Sequence, residues 1–211
     1  VVEDNDDMLD YIQHILSEHF HVLLARDGEE GLELAIAHIP DLIVSDIMMP
    51  KRDGISMVKE LRANEKTNHI PIILLTALDK ESQVVEGYSL GVEDYITKPF
   101  SAKILSKRIE NILLSRKKLW EQYSSSPNLN VYREKLIGQP WKKEFVDKVN
   151  NIVMEHLSDP EFGIDALADA LNMSTNQLFK KVKAIMNTTP YNVIVQIRMT
   201  AAAQLMKQGN L

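Results

Sequence analysis

Four short motifs at the ends of apolar runs carry the side chains capable of chemistry. They are Glu3-Asp4 after Val1-Val2, Asp46 after Leu42-Ile43-Val44-Ser45, Thr76-Ala77 after Ile72-Ile73-Leu74-Leu75, and Lys98 after Tyr95-Ile96-Thr97. In an open parallel sheet the carboxyl ends of the strands converge on one edge, so these distant residues are expected to share a crevice. Like charges about 4 Å apart repel by roughly 4 kcal/mol at an effective dielectric near 20, so Glu3, Asp4 and Asp46 need a cation to stay ionised together. An all-oxygen ligand set suits Mg2+, which takes one or two carboxylates, keeps several waters and accepts a phosphoryl oxygen. One carboxylate is then available as a nucleophile toward phosphorus, while Lys98 and Thr76 meet the phosphoryl oxygens. Singly, each residue has an ordinary role: Asp46 as a helix cap, Lys98 as a surface charge, Thr76 as a strand residue, Tyr95 as an edge-strand aromatic. Their joint placement at strand ends is what argues for a phosphoryl acceptor.

The elements that must position these residues alternate in period. Short apolar stretches at Val22 to Ala25, Leu42 to Val44, Ile70 to Leu75 and Val92 to Ile96, bounded by Asp, Gly or Pro, suit buried parallel strands. Between them run helical patterns: Met8, Ile12, Ile15 and His19; Leu32, Leu34 and Ala35; Ile55, Val58 and Leu61; and Val84, Val85 and Tyr88. Asp27-Gly28, Asp53-Gly54 and Leu90-Gly91 supply turns. Such alternation, with Val1-Val2 as the stub of a first strand, predicts an α/β fold, a doubly wound five-stranded parallel sheet with right-handed crossovers.

With these motifs in place, residues 1–118 resemble the receiver domain of response regulators, whose pattern stands here as Glu3-Asp4, Asp46 with Met48-Met49-Pro50, Thr76-Ala77, and Lys98-Pro99-Phe100. The resemblance implies that Asp46 takes a phosphoryl group from a phosphohistidine on a sensor histidine kinase. It further implies that Asp4, Asp46 and the backbone carbonyl of Met48 ligate Mg2+, with Glu3 acting through water. Thr76 and Ala77 would meet the phosphate beside Lys98, Tyr95 would be an aromatic switch that turns inward, and the Lys98-Pro99 bond would be cis. Met48 and Leu78 flank the site as apolar side chains unable to position a hydrolytic water, so slow loss of the phosphate is expected. A magnesium-dependent phosphatase, which also uses an aspartate nucleophile, is disfavoured because Met48 stands where its second acid would be.

From Ser101 a long helix carries Ile104, Leu105, Ile109, Ile112 and Leu119 through the basic cluster Arg116-Lys117-Lys118, and its far part is a candidate dimer seam. Residues 119–140 read as a linker, with the breaker cluster Ser124-Ser125-Ser126-Pro127-Asn128, then Gly138 and Pro140. Residues 141–211 read as all helical. Phe145, Val149, Ile152, Val153 and His156 share a face; Ile164, Leu167, Ala168 and Leu171 mark a short helix; Leu178, Val182 and Ile185 mark another; Ile194, Ile197, Ala201 and Leu205 mark a long one. Ala168 gives the close helix contact and Asn172 the left-handed turn residue that a helix-turn-helix requires.

That segment is similar to the first half of an AraC-type DNA-binding module, and Gly209-Asn210-Leu211 falls where a second helix-turn-helix would begin. Asn172 and Asn187 stand in turns where that family often has glycine. The likeness implies a recognition helix from Ser174 to Met186, with Thr175, Asn176 and Gln177 toward base edges and Lys180, Lys181 and Lys183 toward phosphates or guanine. A receiver followed by this module resembles the C-terminal part of hybrid two-component sensors. The expectation is a fragment of a longer protein, a phosphorylation-controlled transcription regulator that dimerises when phosphorylated. The competing expectation is a phosphoryl relay or sink whose helical part docks a protein.

Composition fits a soluble cytoplasmic regulator without direct membrane contact. The 211 residues are 45% hydrophobic and include no cysteine, which excludes disulfides and thiolate metal sites. No apolar run approaches the roughly 18 residues of a membrane span, and no signal-peptide pattern opens the chain. Charge is uneven: residues 1–110 hold 11 Lys and Arg against 21 Asp and Glu, and residues 111–211 hold 13 against 9. An acidic first half suits Mg2+ and a docking kinase; a mildly basic second half suits a polyanion.

Overall fold

The computed structural model describes residues 1–77, 90–123, 140–186 and 188–207. The expected helix with Val84, Val85 and Tyr88, the flanking Leu78, the breaker cluster at 124–128, Gly138, Asn187 and Gly209 to Leu211 lie outside the described residues, as do the side chains of Arg116 to Leu119. The chain divides into two compact units, Val1–Lys117 and Lys118–Leu211.

In the first unit β1 (Ile43–Asp46), β2 (Ile72–Ala77) and β3 (Asp94–Lys98) form a parallel sheet in that order. Two further segments extend it beyond β1 through single parallel bridges, Val2 to Ser45 and Val2 to Ala25. Val2 N–H donates to Val44 O at 2.8 Å and Asp46 N–H to Val2 O at 2.9 Å, while Glu3 N–H and Ala25 N–H exchange bonds with Ala25 O and Val1 O. The expected five strands are thus three regular strands and two bridge-length segments.

Helices cover both faces. On one, α1 (Asp6–Ser17) and α4 (Ala102–Tyr123) pack Ile12, Leu16, Leu105 and Ile109 on Val44, Ile73, Leu75 and Ile96. On the other, α2 (Gly28–His38) and α3 (Gly54–Ala63) pack Ala35, Ile55, Val58 and Leu61 on Ile43, Ile72 and Leu74. The period-two alternation within β2 separates the cores: Ile72 and Leu74 face one way, Ile73 and Leu75 the other. Asn5, Asp27 and Asp53 start α1, α2 and α3 by accepting first-turn amides.

Two stripes shift phase. The buried line of α1 is Leu9, Ile12 and Leu16, with Met8 and Ile15 on its flanks, and His19 lies beyond the helix end in solvent. In α4 Leu105 and Ile109 are buried, but Ile104 is 51% exposed because it lies one residue, about 100°, from Leu105 on the helix.

The second unit contains, among the described residues, only helices: α5 (Pro140–Glu155), α6 (Ile164–Ala170), α7 (Thr175–Met186) and α8 (Pro190–Lys207). They share one core of Phe145, Val149, Val153, Leu167, Leu178, Val182, Val193 and Ile197, among others. Leu205, expected on the buried stripe of α8, is 44% exposed. The core contacts of α8 run through Ile194, Ile197 and Ala201 and stop short of that last turn.

The α6–α7 turn is specified locally. Asn172 adopts φ 53°, its N–H donates to Asp169 O at 2.9 Å, and Met173 N–H reaches Ala168 O at 3.0 Å. This is a Schellman closure with Asn in the left-handed position. Ser174 and Gln177 then cap α7 reciprocally, Gln177 N–H to Ser174 Oγ at 3.3 Å and Ser174 N–H to Gln177 Oε1 at 3.0 Å. No helix among the described residues is long and apolar enough to cross a membrane.

Candidate functional site

Parallel register brings the four motifs to one edge. Glu3 and Asp4 follow the Val2 bridges, Asp46 ends β1, and Ala77 pairs with Lys98 where β2 and β3 end. One ligand oxygen from each of Glu3, Asp4 and Asp46 lies within 4.8 Å of the others. Lys98 Nζ closes the group, 2.7 Å from Glu3 Oε2 and 2.9 Å from Asp46 Oδ2. The other oxygen of Asp46, Oδ1, accepts the Ile47 N–H at 2.7 Å, so the carboxylate is oriented from both sides.

Burial gives the cluster its electrostatics. Glu3 is 1% exposed and Asp46 8%, while Asp4 is exposed. Burial raises the pKa of Glu3 against the opposing Lys98 hydrogen bond, and the Asp46 charge adds to the rise. For Lys98 burial opposes the charged form, but hydrogen bonds to Glu3 and Asp46 outweigh it and raise its pKa. Among the described residues, three carboxylates against one ammonium leave an excess of negative charge, and an all-oxygen donor set fits a hard divalent cation.

The remaining predicted residues fall around this group. Thr76 is buried, its hydroxyl donating to Ala77 O at 3.2 Å, and Ala77 is exposed. Met48 is 62% exposed on the loop that leaves Asp46. Tyr95, opposite Leu74 in register, packs against the α2–α3 core with its hydroxyl buried. The Lys98-Pro99 bond is cis.

Contacts that no motif in the sequence signals hold the loop after β1. Gly54 N–H returns to Ile47 O at 2.9 Å, and a Cβ at Gly54 would run into the carbonyl of Asp46. Lys51, at φ 58°, sends its ammonium to Asp27 Oδ2 at 2.5 Å, and Gly28 N–H donates to Arg52 O at 3.1 Å. Asp27-Gly28 and Asp53-Gly54 were legible as turns; that both clasp the Asp46 loop was not.

In the helical unit the expected DNA-contact residues separate. Asn176 and Lys183 are exposed and Lys180 half-buried. Gln177 caps its own helix, and Thr175 Oγ1 donates to Asp165 Oδ1 at 3.0 Å. Lys181 is a correction: it is 2% exposed, with Nζ 4.6 Å from the centre of the Phe145 ring, so it does not face a nucleic acid. Its position explains this, since Leu178, Lys181, Val182 and Ile185 follow the i, i+3, i+4, i+7 pattern of the inward face.

Comparison with known proteins agrees with the receiver geometry. The family described as response regulator receiver domain matches residues 1–110. Histidine kinase P4 of Formosa agariphila is 31% identical over 211 residues, all of this chain but 15% of that protein. The alkaline phosphatase synthesis transcriptional regulatory protein PhoP of Bacillus subtilis is 43% identical over 114 residues, 54% of this chain and 47% of that protein. The receiver domain of the Francisella response regulator 1452 superposes with TM-score 0.50 at 38% identity, covering 55% of this chain and 94% of that one. The chain therefore spans a small part of the kinase and about half of the regulator.

Proposed function

The chain belongs to the response regulator receiver family, and from that premise we propose that Asp46 accepts a phosphoryl group from a phosphohistidine of a sensor histidine kinase. A carboxylate oxygen of Asp46 attacks phosphorus, the phosphorus–nitrogen bond breaks and the imidazole leaves. Lys98 and Thr76 meet the transferred oxygens, and the side chain becomes an acyl phosphate that water later hydrolyses slowly. Asp4, Asp46 and the Met48 carbonyl would hold Mg2+, with Glu3 acting through water. The ion would offset charge on the phosphoryl oxygens. The observation that carries this reading is Lys98 Nζ seated between Glu3 and Asp46 in a three-carboxylate cluster.

The helical unit is proposed as an AraC-type helix-turn-helix. In support stand the αL turn at Asn172, the reciprocal Ser174–Gln177 cap and exposed Asn176 and Lys183. Phosphorylation would add charge at Asp46, draw Thr76 and Lys98 inward and favour a homodimer that binds DNA. A phosphoryl relay is the second reading. In it the helical unit docks a protein, and exposed Tyr191, Val195 and Met199 on α8 favour it.

Intact mass after treatment with a small phosphodonor and Mg2+ tests the chemistry. One added phosphoryl group, absent in Asp46→Asn, is expected; an unchanged mass, or equal labelling of the variant, would refute it. Sedimentation of the same samples tests dimerisation.

A further inference from the structure

The loop that joins Asp46 to α3 adopts a conformation that needs an external hold. Arg52 N–H donates to Pro50 O at 2.6 Å across Lys51, whose φ is 58°. A hydrogen bond that spans one residue at positive φ closes a strained three-residue turn, and such strain in a non-glycine residue persists where surrounding structure over-determines it. Here the surroundings come from the start of α2. Asp27 presents two oxygens with different tasks: Oδ1 accepts the N–H groups of Glu29 and Glu30, and Oδ2 accepts the Lys51 ammonium at 2.5 Å. Next to it Gly28 N–H donates to Arg52 O, at a closeness that leaves no space for a Cβ. Asp27 is 5% exposed, so the hold is anchored in the body of the unit.

We propose that the Asp27–Lys51 pair is a positioning clamp for the loop after Asp46, setting how tightly the carboxylate cluster holds a divalent cation. Met48 lies on this loop, between Asp46 and the clamped turn. The clamp touches neither the cluster nor the phosphoryl group; it acts by fixing the backbone that leads out of Asp46. Its role rests on the receiver reading above, since the cation it tunes is the one that reading places there. Lys51 is therefore a positioning residue, and loss of its ammonium should weaken cation binding while leaving Asp46, Glu3, Asp4 and Lys98 in place.

Calorimetric titration of the full chain with Mg2+ tests this in the wild type, Lys51→Met and Lys51→Arg, with urea unfolding of each alongside. Lys51→Met is expected to bind Mg2+ about tenfold more weakly, the range typical for loss of a partner that orients a ligand-bearing group. It should still reach the wild-type extent of phosphorylation at saturating Mg2+. Lys51→Arg should restore most of the affinity, because the guanidinium can still pair with Asp27. Wild-type affinity in Lys51→Met would overturn the clamp while leaving the receiver chemistry standing. So would a loss in both variants that merely follows lower stability. Absence of Mg2+ binding and of phosphoryl uptake in the wild type would overturn the receiver reading itself.

Discussion

Lys98 faces Asp46 across the ends of β3 and β1, Nζ to Oδ2 at 2.9 Å, and so places an ammonium against a carboxylate whose other oxygen is held by the Ile47 N–H. The same ammonium serves Glu3, which makes it the countercharge of a site with three acids. Replacing it by methionine keeps the aliphatic stem and leaves the acids to repel one another. Lys98→Met is expected to lose about 2 kcal/mol without divalent cations, below the 3–5 kcal/mol of a fully buried pair because Lys98 is a fifth exposed. Mg2+ should recover more stability in the variant than in the wild type, because the ion then supplies the positive charge that the ammonium no longer provides. Urea unfolding with and without Mg2+ decides the matter; equal stability of variant and wild type without the ion would contradict it.

Gly54 lies so close to the Asp46 carbonyl that an added methyl must displace backbone. The neighbour cannot swing away, as a flexible side chain would, because Asp46 is the last residue of β1 and Gly54 the first of α3. Gly54→Ala is therefore expected to destabilise the receiver unit by about 2 kcal/mol, within the usual cost of overpacking. Phosphoryl uptake by the folded fraction should fall as well, since the displaced carbonyl belongs to the acceptor. A variant with wild-type urea midpoint would show that the contact relaxes freely.

Much of this arrangement was legible in residue order. Strand ends could be read because Ile72 to Leu75 and Leu42 to Val44 are short apolar runs that give way to polar residues, and parallel topology then fixes which ends meet. The Asp27–Lys51 bond was not legible: each residue alone is a turn or surface residue, and only the path of the loop brings them together. Lys181 failed for a different reason. Its charge suggested solvent, yet its spacing from Leu178 and Ile185 already placed it on the inward stripe, and the aliphatic stem with an aromatic face for the ammonium makes that burial tolerable. Where charge and period disagreed, period won.

Acid sensitivity should have a signature at Asp27. The Lys51 hydrogen bond, with the Glu30 and Glu29 amides, holds its pKa below the ordinary aspartate value of about 3.9. A carboxylate whose folded pKa is depressed contributes stability that is complete above the unfolded value and is lost as pH falls through the folded one. Asp27→Asn keeps the helix cap and removes the titration. The variant is expected to start less stable at pH 7 and to lose less between about pH 5 and pH 2.5 than the wild type. Parallel pH profiles from urea unfolding would exclude this role.

The α6–α7 turn offers a backbone test, because Asn172 holds φ 53°. Glycine adopts that region without Cβ strain, whereas alanine pays for it and lacks the local hydrogen bonding of asparagine. Asn172→Gly should leave the helical unit equal or up to about 1 kcal/mol more stable, and Asn172→Ala should cost about 1 kcal/mol. Thermal unfolding by circular dichroism separates the two. Equal effects would mean that the left-handed turn is not held in solution.

Lysines on α7 should divide by face. Lys183 and Lys180 reach the surface, and if the unit binds DNA each phosphate contact releases counterions, so removing one should reduce the salt slope of binding by about 1. Lys181 is enclosed beside Phe145 and makes its contribution through packing and the ring face. Lys181→Ala is therefore expected to lower stability by about 2 kcal/mol while leaving the salt slope of the folded protein unchanged. Fluorescence anisotropy on duplex DNA at several salt concentrations, with unfolding measured in parallel, distinguishes the two classes. A reduced slope for Lys181→Ala at full stability would place its ammonium outside the core and reverse the assignment of faces on α7.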